Sequence, residues 1–115
     1  MVSQSLKVLH LTTHLNTGGI TSYVRLVGTR MVQNGHRIAV ASSGGDREEE
    51  LKSKGLQCFC FNIRAKSELH PKLYWALPKI VSLVKKEKFD LIHAHTRVTQ
   101  VLAALISKFT NKKIS

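Results

Sequence analysis

The sequence is poor in several residue types that would support other classes of protein. Its 115 residues include two cysteines, two prolines and 6% aromatic residues, and 7 acidic residues stand against 18 lysines and arginines. Cys58 and Cys60 lie two apart in an apolar run, where strand geometry points both side chains the same way and disfavours a mutual disulfide. No second cysteine pair is present to complete a zinc site. We therefore expect reduced thiols in the core.

Long hydrophobic runs are also missing. A membrane-spanning helix needs about 20 consecutive apolar residues, and the opening MVSQSLKVLHL lacks the basic and apolar regions of a secretory signal. We expect a cytoplasmic protein. The formal net charge of +11 favours anionic partners, among them phosphorylated metabolites, nucleic acid and lipid headgroups. Peripheral contact with an anionic membrane at its inner face is therefore a further hypothesis.

What the sequence does contain is a regular alternation of two patterns. Four β-rich apolar runs predict strands: LKVLHLTT, RIAVASS, QCFCFNI and FDLIHAHT. Apolar residues at helical spacing predict helices from about Ile20, Pro71 and Val98, and Asp46 with Glu49 has the spacing of a capping box for a shorter helix. The closing KKIS reads as the opening of a fifth strand. This order predicts one α/β domain, a Rossmann-like three-layer αβα arrangement with a parallel sheet.

The glycine pair after the first strand is the first candidate site. In parallel sheets, ligands bind outside the carboxyl ends of the strands, and Gly18 and Gly19 lie where the first strand passes to the first helix. Two explanations fit such a pair equally well. One is a tight turn, and the other is a site where bare amide N–H groups meet an anionic oxygen. The stretch NTGGITS has neither the Gly-Lys-Ser/Thr ending of a P-loop nor the G-x-G-x-x-G of a dinucleotide site.

Histidines at the fourth strand form the second candidate site. His93 and His95 share one face of the strand, and His95 is nearer its carboxyl end. We expect His93 to be a buried, hydrogen-bonded core residue and His10 to be structural as well, which leaves His95 as the ligand candidate. A metal held by the His-x-His pair ranks behind these interpretations, because the sequence shows no convincing acidic or cysteine partner. We expect no metal.

Polar residues around these two turns complete the candidate site. Asn16 and Thr17 can add contacts in the cleft, together with His10 and His14, which flank the end of the first strand. Arg97 can meet a phosphate or carboxylate with two hydrogen bonds. Arg64 and Lys66 lie in a loop that we expect on the ligand side, where they can touch an anionic acceptor or remain solvated.

Two stretches together resemble the N-terminal domain of the GT4 family of retaining glycosyltransferases, which have the GT-B fold. They are LKVLHLTTHLNTGGITSYVRLVGTRMVQNGHRIAVAS and FDLIHAHT. The order carries the resemblance: a first strand ending in a Gly-Gly loop, a helix closing in NGH before the second strand, and a fourth strand ending in H-A-H. It spans nearly the whole chain, from about Leu6 onward.

The resemblance implies transfer of a sugar from a nucleotide-diphosphate sugar to a hydroxyl acceptor, with retention at the anomeric carbon. The acceptor class is a glycan, a polysaccharide or a lipid-linked sugar. It assigns Gly18 and Gly19 to the donor diphosphate and the acceptor side of the cleft. It also assigns His95 to the transferred sugar, as a group that positions hydroxyls or stabilises charge. No cofactor or metal is implied.

The same resemblance implies more chain than is present. A fifth strand with a T-x-H-G loop, and a C-terminal nucleotide-sugar-binding domain, belong to the family pattern. We therefore expect residues 1–115 to form a partial, acceptor-side domain that is inactive alone. The alternatives are one subunit of a split transferase and a small basic nucleic-acid-binding domain. The last is disfavoured, because the lysines are dispersed and aromatic residues are few, so we expect no nucleic acid partner.

Overall fold

The computed structural model describes residues 5–63 and 71–110, together with the backbone of residues 113–114. Within them the elements are β1 Lys7–Leu11, α1 Gly19–Gln33, β2 Arg37–Ser42, α2 Glu48–Ser53, β3 Gln57–Cys60, α3 Pro71–Glu87, β4 Leu91–Ala94, α4 Arg97–Thr110 and β5 Lys113–Ile114. The loop predicted to hold Arg64 and Lys66 lies outside the described residues. α3 continues through Pro78 without a break.

All the described strands belong to one parallel sheet with the order β3-β2-β1-β4-β5. The prediction of an α/β, Rossmann-like fold is confirmed. The backbone of Lys113–Ile114 pairs with β4, so KKIS does contribute a short fifth strand. Chain order reverses at β1, which has β2 on one side and β4 on the other. Such a switch point opens a crevice at the carboxyl ends of the two central strands.

Helices cover both faces of the sheet, because the central strands are apolar on both sides. On one face α3 and α4 pack on Leu9, Leu11 and Ile92. On the other face α1 and α2 pack on Val8, Ile38 and Val40. These two clusters are the buried interfaces between the sheet and the helical layers of a three-layer αβα domain. None of the helices within the described residues is long and apolar enough to cross a membrane.

Two local predictions were wrong. The second helix starts at Glu48 with Arg47 as its N-cap and has no side-chain cap, because the Asp46 carboxylate is engaged by Thr17 instead. Cys60 is exposed, and Cys58 is half-buried and packs against the edge of the α1/α2 cluster, so neither thiol is fully buried in the core. β3 lies at the edge of the sheet, where one strand face has less cover than at the centre. Burial and neighbouring glutamates raise the pKa of the Cys58 thiol to about 11.

Candidate functional site

The carboxyl ends of β1 and β4 bring the two predicted sites together. The loop after β1 leads through Gly18 and Gly19 into α1. The chain after β4 leads through His95, whose backbone N–H donates to the Leu11 carbonyl at 3.0 Å and so extends the strand pairing. Tyr23 in α1 lies against the His95 ring, with 5.7 Å between ring centroids. The start of α1 therefore faces the fourth-strand histidine across one crevice.

Neither glycine of the pair is required by backbone conformation or by packing. Gly18 is the N-cap of α1 with an extended backbone, and the positive-φ glycines are Gly35, Gly44 and Gly55. A Cβ added at Gly19 would meet no atom within 4 Å, and one at Gly18 would meet only the Asn16 carbonyl oxygen at 3.9 Å. The turn explanation required positive φ or tight packing, and the described residues supply neither.

What remains at the glycine pair is open space over a helix N-terminus. The first N–H groups of a helix have no intrahelical partner, and the N-cap Gly18 carries no side chain to satisfy them. The first turn of α1 contains no acidic residue, so no carboxylate of the helix itself competes for its dipole. The Asp46 carboxylate binds Thr17, two residues before α1. This arrangement suits an anionic oxygen placed close to the backbone.

A second loop holds the glycine loop in place. Asp46, in the loop between β2 and α2, accepts hydrogen bonds from the Thr17 N–H at 2.8 Å and the Thr17 hydroxyl at 3.2 Å. The Asp46 N–H donates to the Asn16 side-chain oxygen at 3.1 Å, and the Arg47 Nε donates to the Thr17 hydroxyl at 3.0 Å. Asn16 and Thr17 therefore support the loop through these groups. Their predicted contact with a ligand stays a prediction.

A polar cavity of about 190 Å³ adjoins the glycine loop on the α2 side. Its lining residues are Thr17, Gly18, Thr21, Ser22, Arg25, Arg47 and Glu50. Glu50 pairs with both arginines, at 3.7 Å from Arg25 and 3.5 Å from Arg47. The cavity therefore offers hydroxyl and guanidinium groups next to the bare backbone of Gly18.

Three histidines gather on the α1 face of the sheet. Register pairs His10 of β1 with His93 of β4, and the His10 Nδ1 lies 2.9 Å from the His95 Nε2. The rings of His93 and His95 stack with centroids 4.3 Å apart. His10 is buried, as expected, but it contacts the site directly. His93 was expected to be buried and is only half-buried, because it lies near the end of a strand whose face α1 covers incompletely.

Burial sets the charge of this cluster. Burial, with the neighbouring His95 and His93, lowers the pKa of His10 to about 3. Burial, with His93, lowers the pKa of His95 to about 4. Both rings are therefore neutral near pH 7, and a neutral imidazole has one N–H donor and one lone-pair acceptor.

The orientation of the three histidine rings decides whether they could bind one metal ion together. One ring nitrogen from each of His10, His93 and His95 lies within 4.8 Å of the other two. A bound ion would need the in-plane lone pairs to converge at about 2.0–2.1 Å, but the stacked rings of His93 and His95 are only 19° from parallel. Their lone pairs lie in separate planes, so this geometry favours hydrogen-bonded neutral rings over a shared ion. The metal-free site stays a prediction.

Arg97 starts α4 at the same edge of the sheet. Its side chain is exposed, which leaves its predicted contact with an anion untested. The preceding turn is fixed by Thr96 and Thr99, which exchange two backbone-to-side-chain hydrogen bonds at 3.0 and 3.2 Å. This reciprocal pair is a capping box built from two threonines, and it fixes the start of α4 two residues after His95.

Sequence reasoning missed three contributors to the crevice, Tyr23, Asp46 and Arg47, and it favoured a structural role for His10, which contacts His95. A signal existed for His10, because parallel neighbours β1 and β4 each carry a histidine near the carboxyl end. Asp46 and Arg47 had no such signal, since their contacts with Thr17 span 29 and 30 residues of chain. Only the folded sheet brings those loops together.

These features define a class of protein: a Rossmann-like αβα domain with a crevice at the switch point between β1 and β4, which has a bare glycine loop on one side and neutral histidines on the other. Residues 17–114 match the model of Glycosyltransferase Family 4. The chain belongs to that family.

Individual relatives agree with this assignment. The capsular polysaccharide biosynthesis glycosyltransferase CapH of Staphylococcus aureus is 26% identical over an alignment of 111 residues that covers 92% of this chain and 28% of CapH. A glycosyltransferase structure from Rickettsia africae superposes with a TM-score of 0.79 at 20% identity over 97% of this chain and 29% of its own. The Anabaena protein HepE, in complex with UDP-glucose, gives 0.72 at 19% identity over 95% and 28%. The chain thus spans under a third of each relative.

Proposed function

We propose that this chain is the acceptor-side part of a transferase that moves a sugar from a nucleotide-diphosphate sugar to a hydroxyl acceptor with retention. The acceptor is a glycan, a polysaccharide or a lipid-linked sugar. The observation that carries the proposal is the bare backbone of Gly18 and Gly19 at the N-terminus of α1, opposite His95. Membership in the family and the UDP-glucose bound to HepE support a nucleotide sugar as the ligand.

The proposed roles follow from the geometry of the crevice. Gly18 and Gly19 receive diphosphate oxygens on free amide N–H groups, and the α1 dipole stabilises their negative charge. His95 contacts a hydroxyl of the transferred sugar as a neutral group. Asn16 and Thr17 position the glycine loop by binding Asp46 in the loop after β2. Arg97 is proposed to meet an anionic oxygen at the start of α4.

The test is an NMR titration of the chain with UDP-glucose, using backbone amide shifts as the readout. Saturable shifts of the Gly18, Gly19 and Thr21 amides are expected, and UDP-glucose should act more strongly than glucose. Gly19→Val should abolish them by filling the space over the loop, while Gln33→Val at the exposed end of the same helix should not. Shifts confined to other surfaces would contradict the proposal.

We also propose that residues 1–115 are the partial N-terminal domain of a longer enzyme and have no transferase activity alone. A departing diphosphate needs stabilising groups opposite the glycine loop, and in the family these lie in the C-terminal domain. The chain covers only 28% of CapH, which supports this proposal. Transfer of labelled sugar by a homogeneous preparation of these residues would contradict it.

A contact with anionic membranes is proposed as a second property, because lipid-linked acceptors lie there. The net charge is +11, and Trp75 on α3 is 80% exposed beside a cavity that Lys79 also lines. Exposed tryptophan with basic neighbours suits a lipid headgroup surface. Sedimentation with anionic vesicles should exceed that with neutral vesicles, and Trp75→Ala should weaken it. Equal sedimentation with both vesicles would remove this proposal.

A further inference from the structure

The contact between His10 and His95 leaves one ring nitrogen of each residue outside the pair. His10 Nδ1 and His95 Nε2 are 2.9 Å apart, which is a hydrogen bond with one proton between them. His10 is only 2% exposed, and its Nε2 is buried without a hydrogen-bond partner among the described residues. His95 is half-buried, so its Nδ1 is the nitrogen left for water or a ligand.

Two arrangements of protons satisfy the pair when both rings are neutral. In the first, His10 carries its hydrogen on Nδ1 and donates it to His95, which then carries its own hydrogen on Nδ1. In the second, His95 donates from Nε2, and His10 must carry its hydrogen on the buried Nε2. The arrangements give the ligand opposite groups, a donor in the first and an acceptor in the second.

The buried nitrogen of His10 discriminates between them. In the second arrangement an N–H is enclosed with no acceptor among the described residues, and buried orphan N–H groups are rare because the full desolvation cost is uncompensated. In the first arrangement the same atom is an unpaired acceptor, which is the less rare of the two defects, and every N–H has a hydrogen-bond partner or access to water. The outer nitrogen of His95 does not discriminate, since water can either donate to it or accept from it.

We infer that His10 is a positioning residue: it donates its Nδ1–H to His95 Nε2 and holds His95 as the Nδ1–H tautomer, a hydrogen-bond donor toward the ligand. The tautomer stands on this pair alone, whereas the identity of the ligand rests on the proposed function. A fixed N–H donor selects an acceptor oxygen, such as a sugar hydroxyl or a phosphate oxygen. It cannot take a proton from an acceptor hydroxyl, so His95 is not a general base in this state.

Two other histidines provide an internal reference. His36 Nδ1 accepts from the Leu6 N–H at 3.0 Å, and His14 Nδ1 accepts from the Asn16 N–H at 3.1 Å. A backbone N–H can only donate, so both rings must carry their hydrogen on Nε2 when neutral. The chain should therefore contain both tautomers, and the His14 and His36 signals provide the reference for the Nε2–H form in the same spectrum.

The experiment is a long-range ¹H–¹⁵N correlation spectrum of the imidazole rings in the ligand-free chain above pH 7, assigned with His95→Ala. The expected result is a protonated Nδ1 with an unprotonated Nε2 for His10 and His95, and the reverse for His14 and His36. His95 protonated on Nε2 would overturn the inference. This measurement needs no variant of His10 to fold.

Two substitutions then test whether His10 is the cause. His10→Asp replaces the donor with an acceptor close to the position of Nδ1, so His95 should then donate from a protonated Nε2. His10→Asn keeps an N–H close to the position of Nδ1 and should retain the Nδ1–H tautomer. A His95 Nε2 that stays unprotonated in a folded His10→Asp chain would overturn the positioning role.

Addition of UDP-glucose to the same sample separates this inference from the proposed function. If the tautomers are as stated and the His95 Nδ1–H resonance does not respond to saturating ligand, the positioning role stands and the sugar contact fails. If the resonance responds while His95 is protonated on Nε2, the proposed function stands and the positioning role fails.

Discussion

At the scale of single residues, glycines in the two loops of the crevice are present for different reasons. Gly19 has open space around the position of a Cβ, whereas a Cβ at Gly45 would lie 2.3 Å from the Leu15 carbonyl carbon. Gly45 is thus fixed by the close approach of two backbones. Gly19 is not fixed by the fold, so the reason for its side-chain-free surface lies outside the described protein atoms.

Alanine at each position should separate these reasons. Gly19→Ala should leave the free energy of unfolding unchanged or raise it by up to about 1 kcal/mol, because alanine is the better helix former. Gly45→Ala should lower it by about 1–3 kcal/mol through backbone overlap. Urea denaturation gives both values, and equal losses for the two variants would contradict this account.

The lowered pKa of His10 predicts a loss of stability in acid. The unfolded ring titrates near its ordinary pKa of 6.5 and the folded ring near 3, so the unfolded chain binds more protons as the pH falls through this window. Stability is complete above pH 6.5 and is lost on descent toward pH 3. Between pH 7 and pH 5 this group alone should cost about 2 kcal/mol.

Urea denaturation at several pH values, with His10→Phe as the comparison, measures this contribution. The variant lacks the titrating ring but keeps the carboxylates, so its stability should fall less steeply between pH 7 and pH 5. Parallel curves for the wild-type chain and the variant would show that His10 does not carry the effect. His95, which is more exposed, should add a smaller loss in the same direction.

At the scale of elements, the loop after β2 acts as a brace for the loop after β1. Asp46→Ala would remove the acceptor of both Thr17 hydrogen bonds. It should lower stability by about 1 kcal/mol and speed hydrogen exchange at the Thr17 amide. Glu49→Ala makes the same charge change at an exposed site of α2 and should leave that amide unaffected. Equal exchange in both variants would contradict the brace.

The sequence was sufficient to predict the strands and helices, but it was insufficient to predict the side-chain contacts between them. Strands such as RIAVASS were predictable because apolar β-branched runs with helices between them have few other solutions. The capping role expected of Asp46 failed, because a carboxylate has several donors within reach and the one it binds, Thr17, lies 29 residues away. His95 was predictable from strand alternation. Its partner His10 required the pairing of β1 with β4.

At the scale of the whole molecule, the excess of positive charge opposes folding. The net charge of +11 is spread over a compact chain with a radius of gyration of 13.3 Å, so like charges repel one another in the folded state. Raising sodium chloride from low to physiological concentration should raise the thermal midpoint, because the Debye length falls to about 8 Å. A midpoint independent of salt would show that the pairs around α2 already balance the charge.

The pairing of β1 with β4 also joins distant parts of the chain. His10 and His95 are 85 residues apart in the chain, and β1, β2 and β3 can pair in sequence before β4 has been made. A nascent chain can therefore assemble three strands of its sheet while one wall of the crevice is still missing. The histidine pair forms only when β4 docks on β1, so its imidazole signals report that step of folding.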